Sequence, residues 1–275
     1  MKRIIWCAFL IGIAGAPLQL QAQDRDTGFL NRTVTVDGAT HRYQVYVPRD
    51  YDPDVAWPVI LFLHGAGERG DDGIIQTEVG LGRALRRWPE RYPAIVVLPQ
   101  APTETLWQGE IADVAMAALD QTVAEYRTDA TRTYLTGLSM GGNGSWYLGY
   151  HHADRFAAVA PICGFVSTLG SFDGGFSSAA DPHAEVASHL AETPVWIFHG
   201  ESDTVVSVEE SRKMHAALQA VDAPVRYTEL PGTGHNSWDA AYRVARLRRV
   251  ALRAGEAMTG SAGCGGWPTR CPLES

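Results

Sequence analysis

Ser139 lies in "TGLSMGGNGSW", residues 136–146, with Gly137 and Gly141 two positions to either side. A serine hydroxyl is a weak nucleophile and needs a base beside it and an open approach for the substrate. A sharp strand-to-helix turn supplies the approach, and the flanking backbones then come so close that side chains at the two glycines would clash. An ordinary glycine-rich turn has the same look in a chain with 28 Gly, so the pattern gains weight only when the partners of a serine nucleophile follow in order. A carboxylate and an imidazole do follow. Glu201 and Asp203 occur in "ESDTVV" after the apolar run "PVWIFHG", and His235 occurs in "PGTGHNSWD". A carboxylate just past a strand end holds an imidazole in the tautomer that accepts the serine proton, and stabilises the imidazolium that forms. Asp203 is preferred because the residues after it run straight into a helix and pin its loop, with Glu201 the weaker candidate. The alternative for Asp203 is a cap on the helix beginning near Ser207. His235 comes last in the order Ser, Asp, His, at a turn before a helix, whereas His183, His215, His151 and His152 fit surface or packing roles.

Acyl transfer also needs donors for a developing oxyanion. The strand-like "VILFLHG" runs into the small-residue loop "HGAGERGDD", which makes the amide of Ala66 the first candidate donor. The amide of Met140, next to the nucleophile, is the second. His64, before the loop turns, is expected to tie the loop to neighbouring backbone. Trp107 and Trp238 lie near these loops and are read either as lining an aromatic-friendly substrate pocket or as core, while Trp146 on the elbow helix is read as core.

These groups need elements to carry them. "NRTVTVDGATHRYQVYVP" alternates around a "DGAT" turn, a hairpin pattern. Residues 58–65, 94–100, 131–137, 156–164 and 194–200 are short, mostly apolar runs without alternation, as expected of strands buried on both faces of a parallel sheet. Helical periodicity separates them: "ADVAMAALDQTVAEYR" sets Ala115, Leu119, Val123 and Tyr126 along one face, and "VSVEESRKMHAALQAV" and "SWDAAYRVARLRRVALRAG" follow. Strand and helix in alternation predict an α/β class: a doubly wound, mostly parallel sheet preceded by an antiparallel hairpin. Ligands collect at the carboxyl ends of such strands, where all four motif loops fall. Residues 165–190, rich in Gly, Ser and Asp, break the rhythm and are read as a lid or binding insertion, or as a plain excursion.

The first 22 residues have the form of a secretory signal: Lys2 and Arg3, an apolar run too short to span a bilayer comfortably, then "LQLQA" before polar sequence. An uncleaved anchor is the competing reading. A single domain over residues 23–275, secreted or periplasmic, is expected. Loss of Lys2 and Arg3 takes the formal charge from −8 to −10, which argues against nucleic acid or an acidic membrane as partner. Export favours a disulfide, and the Gly and Pro in "CGGWPTRC" let a short loop close between Cys264 and Cys271, leaving Cys163 a buried thiol. No C-x-x-C and no histidine cluster of ligand spacing points to a metal, and none is expected.

Taken together, "LFLHGAGERGDD", "GLSMGGNGSW", "APICG", "VWIFHGESDTVV" and "PGTGHNSWDAAY" resemble the secreted esterases of the α/β-hydrolase superfamily. The likeness is to the branch that groups phospholipase/carboxylesterase-type, polyhydroxybutyrate-depolymerase-like and feruloyl-esterase-like proteins. It runs from about Arg42 to Leu247. It implies the α/β-hydrolase fold, Ser139 as nucleophile with Asp203 and His235 as partners, Ala66 and Met140 as oxyanion donors, and Glu68 and Arg69 as braces of the loop. It implies no cofactor and an ester substrate, either a small soluble ester or an acyl ester of a plant polysaccharide. The chain departs from the pattern after "PICG", where Phe165 and a longer segment follow, so the acyl and alcohol pockets stay open. A serine peptidase of the prolyl-oligopeptidase type, which shares the order of the triad, and a non-catalytic binding protein on the same fold are the competing readings.

Overall fold

The computed structural model describes residues 26–169 and 173–243. Asp37 and Gly38 have φ of 47° and 82°, the two left-handed positions of a tight hairpin turn. They join β1 (Gly28–Val36) to β2 (Ala39–Val47) in antiparallel register. The antiparallel edge ends where β2 pairs with β4 (Ile95–Pro99). Beyond it β3 (Trp57–Leu63), β5 (Thr128–Leu138), β6 (Ala158–Ile162), β7 (Val195–Gly200) and β8 (Val225–Leu230) run parallel. The eight strands form one sheet in the order β1-β2-β4-β3-β5-β6-β7-β8.

The apolar runs fail to alternate because both faces of the central strands are covered. Val59, Leu61 and Leu63 of β3 point into one core with the helices α2 (Glu110–Glu125), α3 (Met140–His151), α4 (Pro182–His189) and α5 (Val208–Ala220). Phe62, with Val96, Leu98 and Phe198, points into the other, under α1 (Gly80–Arg87) and α6 (Trp238–Arg243). The helix read from residue 237 onward is present as α6 up to Arg243, and its remainder lies outside the described residues. So do the expected signal, residues 1–22, and the expected Cys264–Cys271 bridge. Among the described residues no helix is long and apolar enough to cross a membrane.

The tightest backbone packing occurs where β5 turns into α3. A Cβ on Gly141 would stand 1.9 Å from the carbonyl oxygen of Leu63 at the end of β3, and one on Gly137 would stand 2.2 Å from the carbonyl oxygen of Gly141. These obstacles are main chain in a strand and a helix, so no rotamer change relieves them. The two glycines let α3 start directly against the central strands.

The segment after β6 is fastened by buried side chains. Asn143 on α3 donates from Nδ2 to the carbonyls of Phe165 and Gly174, both at 2.9 Å. Glu210 on α5 accepts from the amides of Val166 (3.0 Å) and Ser167 (3.3 Å), from the Ser167 hydroxyl (2.5 Å) and from His183 Nε2 (3.2 Å). Farther along, Asp181 caps α4 by accepting from the amide of Ala184, with Pro182 at the first helical position. Residues 165–169 are thus bound to the scaffold. Burial alone would push the Glu210 carboxyl up, but His183, Ser167 and two amides outweigh it and hold the group at about 2, against an ordinary 4.5.

Two outcomes are expected. Gly141→Ala should cost more than about 3 kcal/mol in chemical denaturation, because the methyl has no space to enter; a loss below about 1 kcal/mol would contradict the packing described. Glu210→Ala strands two amides and His183, and should cost about 3 kcal/mol at pH 7. Because the folded carboxyl sits below its unfolded value, that contribution is full above pH 4.5 and disappears as pH falls through about 2. Thermal melts of native and variant protein should therefore converge on acidification, and a gap that is constant from pH 7 to pH 3 would speak against the carboxylate's role.

Candidate active site

The position of Ser139, the candidate nucleophile, is set by the elbow. Ser139 caps α3 with φ 53° and ψ −115°, a left-handed conformation that a serine holds only when its surroundings dictate it. Its amide donates to the Ile162 carbonyl at 2.9 Å and its carbonyl accepts from the amide of Asn143 at 3.0 Å. With the backbone held this way, the half-exposed hydroxyl stands 3.0 Å from His235 Nε2. His235 Nδ1 lies 2.7 Å from Asp203 Oδ2. Because a carboxylate can only accept, Nδ1 carries the proton, Nε2 is the free base, and the serine hydroxyl donates to it.

Two loops zip together to make this meeting. The amides of Glu201 and Ser202 after β7 donate to the carbonyls of Leu230, the last residue of β8, and of Thr233 in the loop that follows, at 3.0 and 2.9 Å. Gly200 lets them touch, since a Cβ there would stand 2.2 Å from the Gly234 carbonyl oxygen. Glu201, the weaker sequence candidate, accepts from the amide of Gly232 at 2.8 Å and so braces the histidine loop from outside.

Asp203 has no exposed side-chain surface. Its Oδ1 accepts from the amides of Val205 (2.8 Å) and Val206 (3.0 Å). Burial pushes its carboxyl up, but donors from His199, His235 and those two amides prevail and hold it well below the ordinary carboxylate range. It is therefore charged at neutral pH and able to stabilise an imidazolium at His235. The cap reading of Asp203 has a different occupant: Ser207 is the cap of α5 and accepts from the amide of Glu209.

The loop after β3 packs beside the elbow, where a Cβ on Gly65 would stand 2.8 Å from Leu138 Cδ1. Met140 is the first residue of α3, and Ala66 the first of a 3-10 turn, Ala66–Glu68. Amides at first positions have no carbonyl of their own helix to bond, which suits them to an external oxygen. Gly65 donates to Glu68 Oε2 at 3.0 Å, and Arg69 donates from Nε to the Ala66 carbonyl at 3.0 Å. His64 is fully buried: Nδ1 donates to the Gly65 carbonyl at 2.7 Å and Nε2 accepts from the amide of Ala101 at 3.0 Å. Burial pushes it down to about 4, so it is an uncharged strut at neutral pH.

The two tryptophans part company. Trp107 is fully buried, stacks edge-on against His64 with centroids 4.9 Å apart, and donates from Nε1 to the His64 carbonyl at 3.0 Å. A side chain with no exposed surface cannot touch a substrate, so the pocket-lining reading of Trp107 is corrected: it braces the main chain at His64, where the loop after β3 begins. Trp238 is half-buried, with its ring perpendicular to that of His235 at 5.3 Å.

Cys163, just past the end of β6, is a free buried thiol that burial pushes up to about 12. Its sulfur, a carboxylate oxygen of Asp203 and a ring nitrogen of His235 lie within 4.8 Å of one another, the one such trio among the described residues. A protonated thiol and two groups already bonded to each other make a poor ligand set, and the trio fits packing beneath the carboxylate. His199, four residues before Asp203, escaped the sequence reading. It is fully buried, with Nε2 3.3 Å from Asp203 Oδ2 and Nδ1 2.7 Å from Ser211 Oγ. The His-Gly-x-x-Asp spacing across a strand end was the available signal.

The fold has counterparts in known proteins. An uncharacterized secreted protein of Arthroderma benhamiae is 29% identical over 227 residues, which cover 73% of this chain and 23% of that protein. A bifunctional acetylxylan esterase/xylanase of Neocallimastix patriciarum is 26% identical over 189 residues, 63% of this chain and again 23% of the relative. This chain therefore corresponds to less than a quarter of either. The crystal structure of a thermostable esterase superposes with a TM-score of 0.69 at 30% identity, covering 82% of this chain and 62% of that one. A ferulic acid esterase of Anaeromyces mucronatus superposes at 0.61 with 20% identity, covering 84% and 94%, a likeness of fold. Residues 102–252, more than half of the sequence and including Ser139, Asp203 and His235, match the prolyl oligopeptidase family. By its doubly wound sheet and this match, the chain has the α/β-hydrolase fold and belongs to the prolyl oligopeptidase family.

Proposed function

We propose that this chain is an exported serine esterase that cleaves carboxylic esters through an acyl-enzyme on Ser139. The observation that carries the reading is the unbroken line from Ser139 Oγ to His235 Nε2, at 3.0 Å, and from His235 Nδ1 to Asp203, at 2.7 Å. In the first half-reaction His235 takes the hydroxyl proton as Ser139 attacks the ester carbonyl. The imidazolium, steadied by Asp203, then gives that proton to the departing alcohol. Water repeats the sequence on the acyl-enzyme and frees the acid. The amides of Ala66 and Met140 receive the oxyanion in both halves. No metal or organic cofactor enters any step.

Small soluble esters and acyl esters of plant polysaccharides are the proposed substrates. The second class is supported by the acetylxylan esterase and ferulic acid esterase names of similar proteins, and export by the leader-like start and a relative described as secreted. A peptidase is the second reading, favoured by the family match, and comparison of an aryl ester with the matching anilide separates the two.

Ser139→Ala should reduce turnover of an aryl acetate by about 10⁴-fold or more and abolish labelling by a fluorophosphonate, with stability unchanged. Retained labelling would contradict Ser139 as nucleophile. In a panel of aryl esters of rising acyl length, acetylated or feruloylated xylan and a polyester film, the short aryl esters and the xylan esters should be cleaved. Cleavage of the film alone, or of the anilide in preference to the ester, would overturn the substrate assignment.

A further inference from the structure

Beside Asp203, at the same carboxylate oxygen that receives His235, stands a second imidazole that the acyl-transfer steps do not use. His199 is the penultimate residue of β7, a strand buried along its whole length, and has no exposed surface. Its Nε2 faces two acceptors, the Val206 carbonyl at 3.0 Å and Asp203 Oδ2 at 3.3 Å, so Nε2 carries a proton. Its Nδ1 lies 2.7 Å from Ser211 Oγ on α5, and Ser211 is itself buried. Oδ2, the oxygen that receives His235 Nδ1, is thus also the one that His199 approaches, while Oδ1 is taken by two amides.

We propose that His199 is a positioning residue of the active site, which holds Asp203 together with His235 and, by sharing Oδ2, limits how strongly that oxygen draws a proton onto His235. The proposal rests on the hydrolase reading above. Two donors on one carboxylate oxygen divide its negative charge between them, so each is bound less tightly than it would be alone. His199 therefore trades some stabilisation of the His235 imidazolium for a fixed carboxylate, with Ser211 fixing the His199 ring in turn. The other titratable groups here differ in kind. Cys163, just past the end of β6 and near Asp203 and His235, is held as a neutral thiol. Glu229, opposite His199 in register on β8, is already bonded to Arg212 through both of its oxygens.

The test is the pH profile of kcat/KM on an aryl acetate for native protein, His199→Leu, His199→Asn and His199→Gln. Leucine fills the space without a donor. Asparagine keeps a polar group near Ser211 but is too short to reach Asp203, and serves if the leucine protein does not fold. The Gln amide nitrogen reaches the position of Nε2. The donor-free variants should lose about tenfold or more in kcat with little change in KM. Their acid limb should move to higher pH by about half a unit, because the imidazolium at His235 is then better stabilised. Glutamine should restore the native limb and much of the rate. An unshifted acid limb in the Leu and Asn proteins, whether or not kcat falls, overturns the proposal, since a purely structural role lowers the rate without moving the limb. Native protein inert to both ester and fluorophosphonate overturns the hydrolase reading itself, and is distinguishable because it needs no variant.

Discussion

A carboxylate removed from water must be surrounded by donors, and the chain arranges four of them around Asp203. Two are amides of its own loop, at Val205 and Val206. One comes from the loop after β8 as His235, and one from β7 as His199, at the longer distance of 3.3 Å. Without them burial would favour the neutral acid, which could neither orient nor stabilise His235. The loops on either side are shaped to bring those donors in. Gly200 permits the contact, the amides of Glu201 and Ser202 zip the two loops, and Glu201 holds the outer one.

The elbow at Ser139 obeys a second constraint, which is close approach of backbone. α3 begins against the ends of β3 and β5, where Gly137 and Gly141 leave no room for a side chain. The same crowding turns Ser139 into a left-handed conformation and presents Met140 at the first position of a helix. At the loop after β3, His64, Glu68, Arg69 and Trp107 hold the main chain around Ala66 in place. The proposed base, its orienting acid and two candidate oxyanion amides are then all mounted just beyond strand ends of one sheet.

Much of this is legible in the sequence itself. The hairpin followed from alternation around Asp37 and Gly38, and the parallel strands from unbroken apolar runs. The order of Ser139, Asp203 and His235 singled them out because each falls just past a strand end. His64 also read correctly as a strut, since it precedes the turn of its loop. What stayed hidden depends on contacts between distant segments. Trp107 stayed open between pocket and core because sequence shows its nearness to motif loops but not the His64 carbonyl that its buried indole bonds. Asn143 and Glu210 sit in ordinary helical patterns, and nothing local reveals that they clamp the segment after Cys163. His199 reads as one more residue of a buried strand until Asp203 is found beside it.

The central claim is that Ser139, His235 and the two backbone amides meet around a single reacting carbon. A crystal structure of the protein after reaction with a phosphonate ester tests this most directly. The account requires phosphorus bonded to Ser139 Oγ, with its free oxygen within hydrogen-bonding distance of the Ala66 and Met140 amides and His235 on the other side. Phosphorus on another residue, or a free oxygen directed away from both amides, would contradict it.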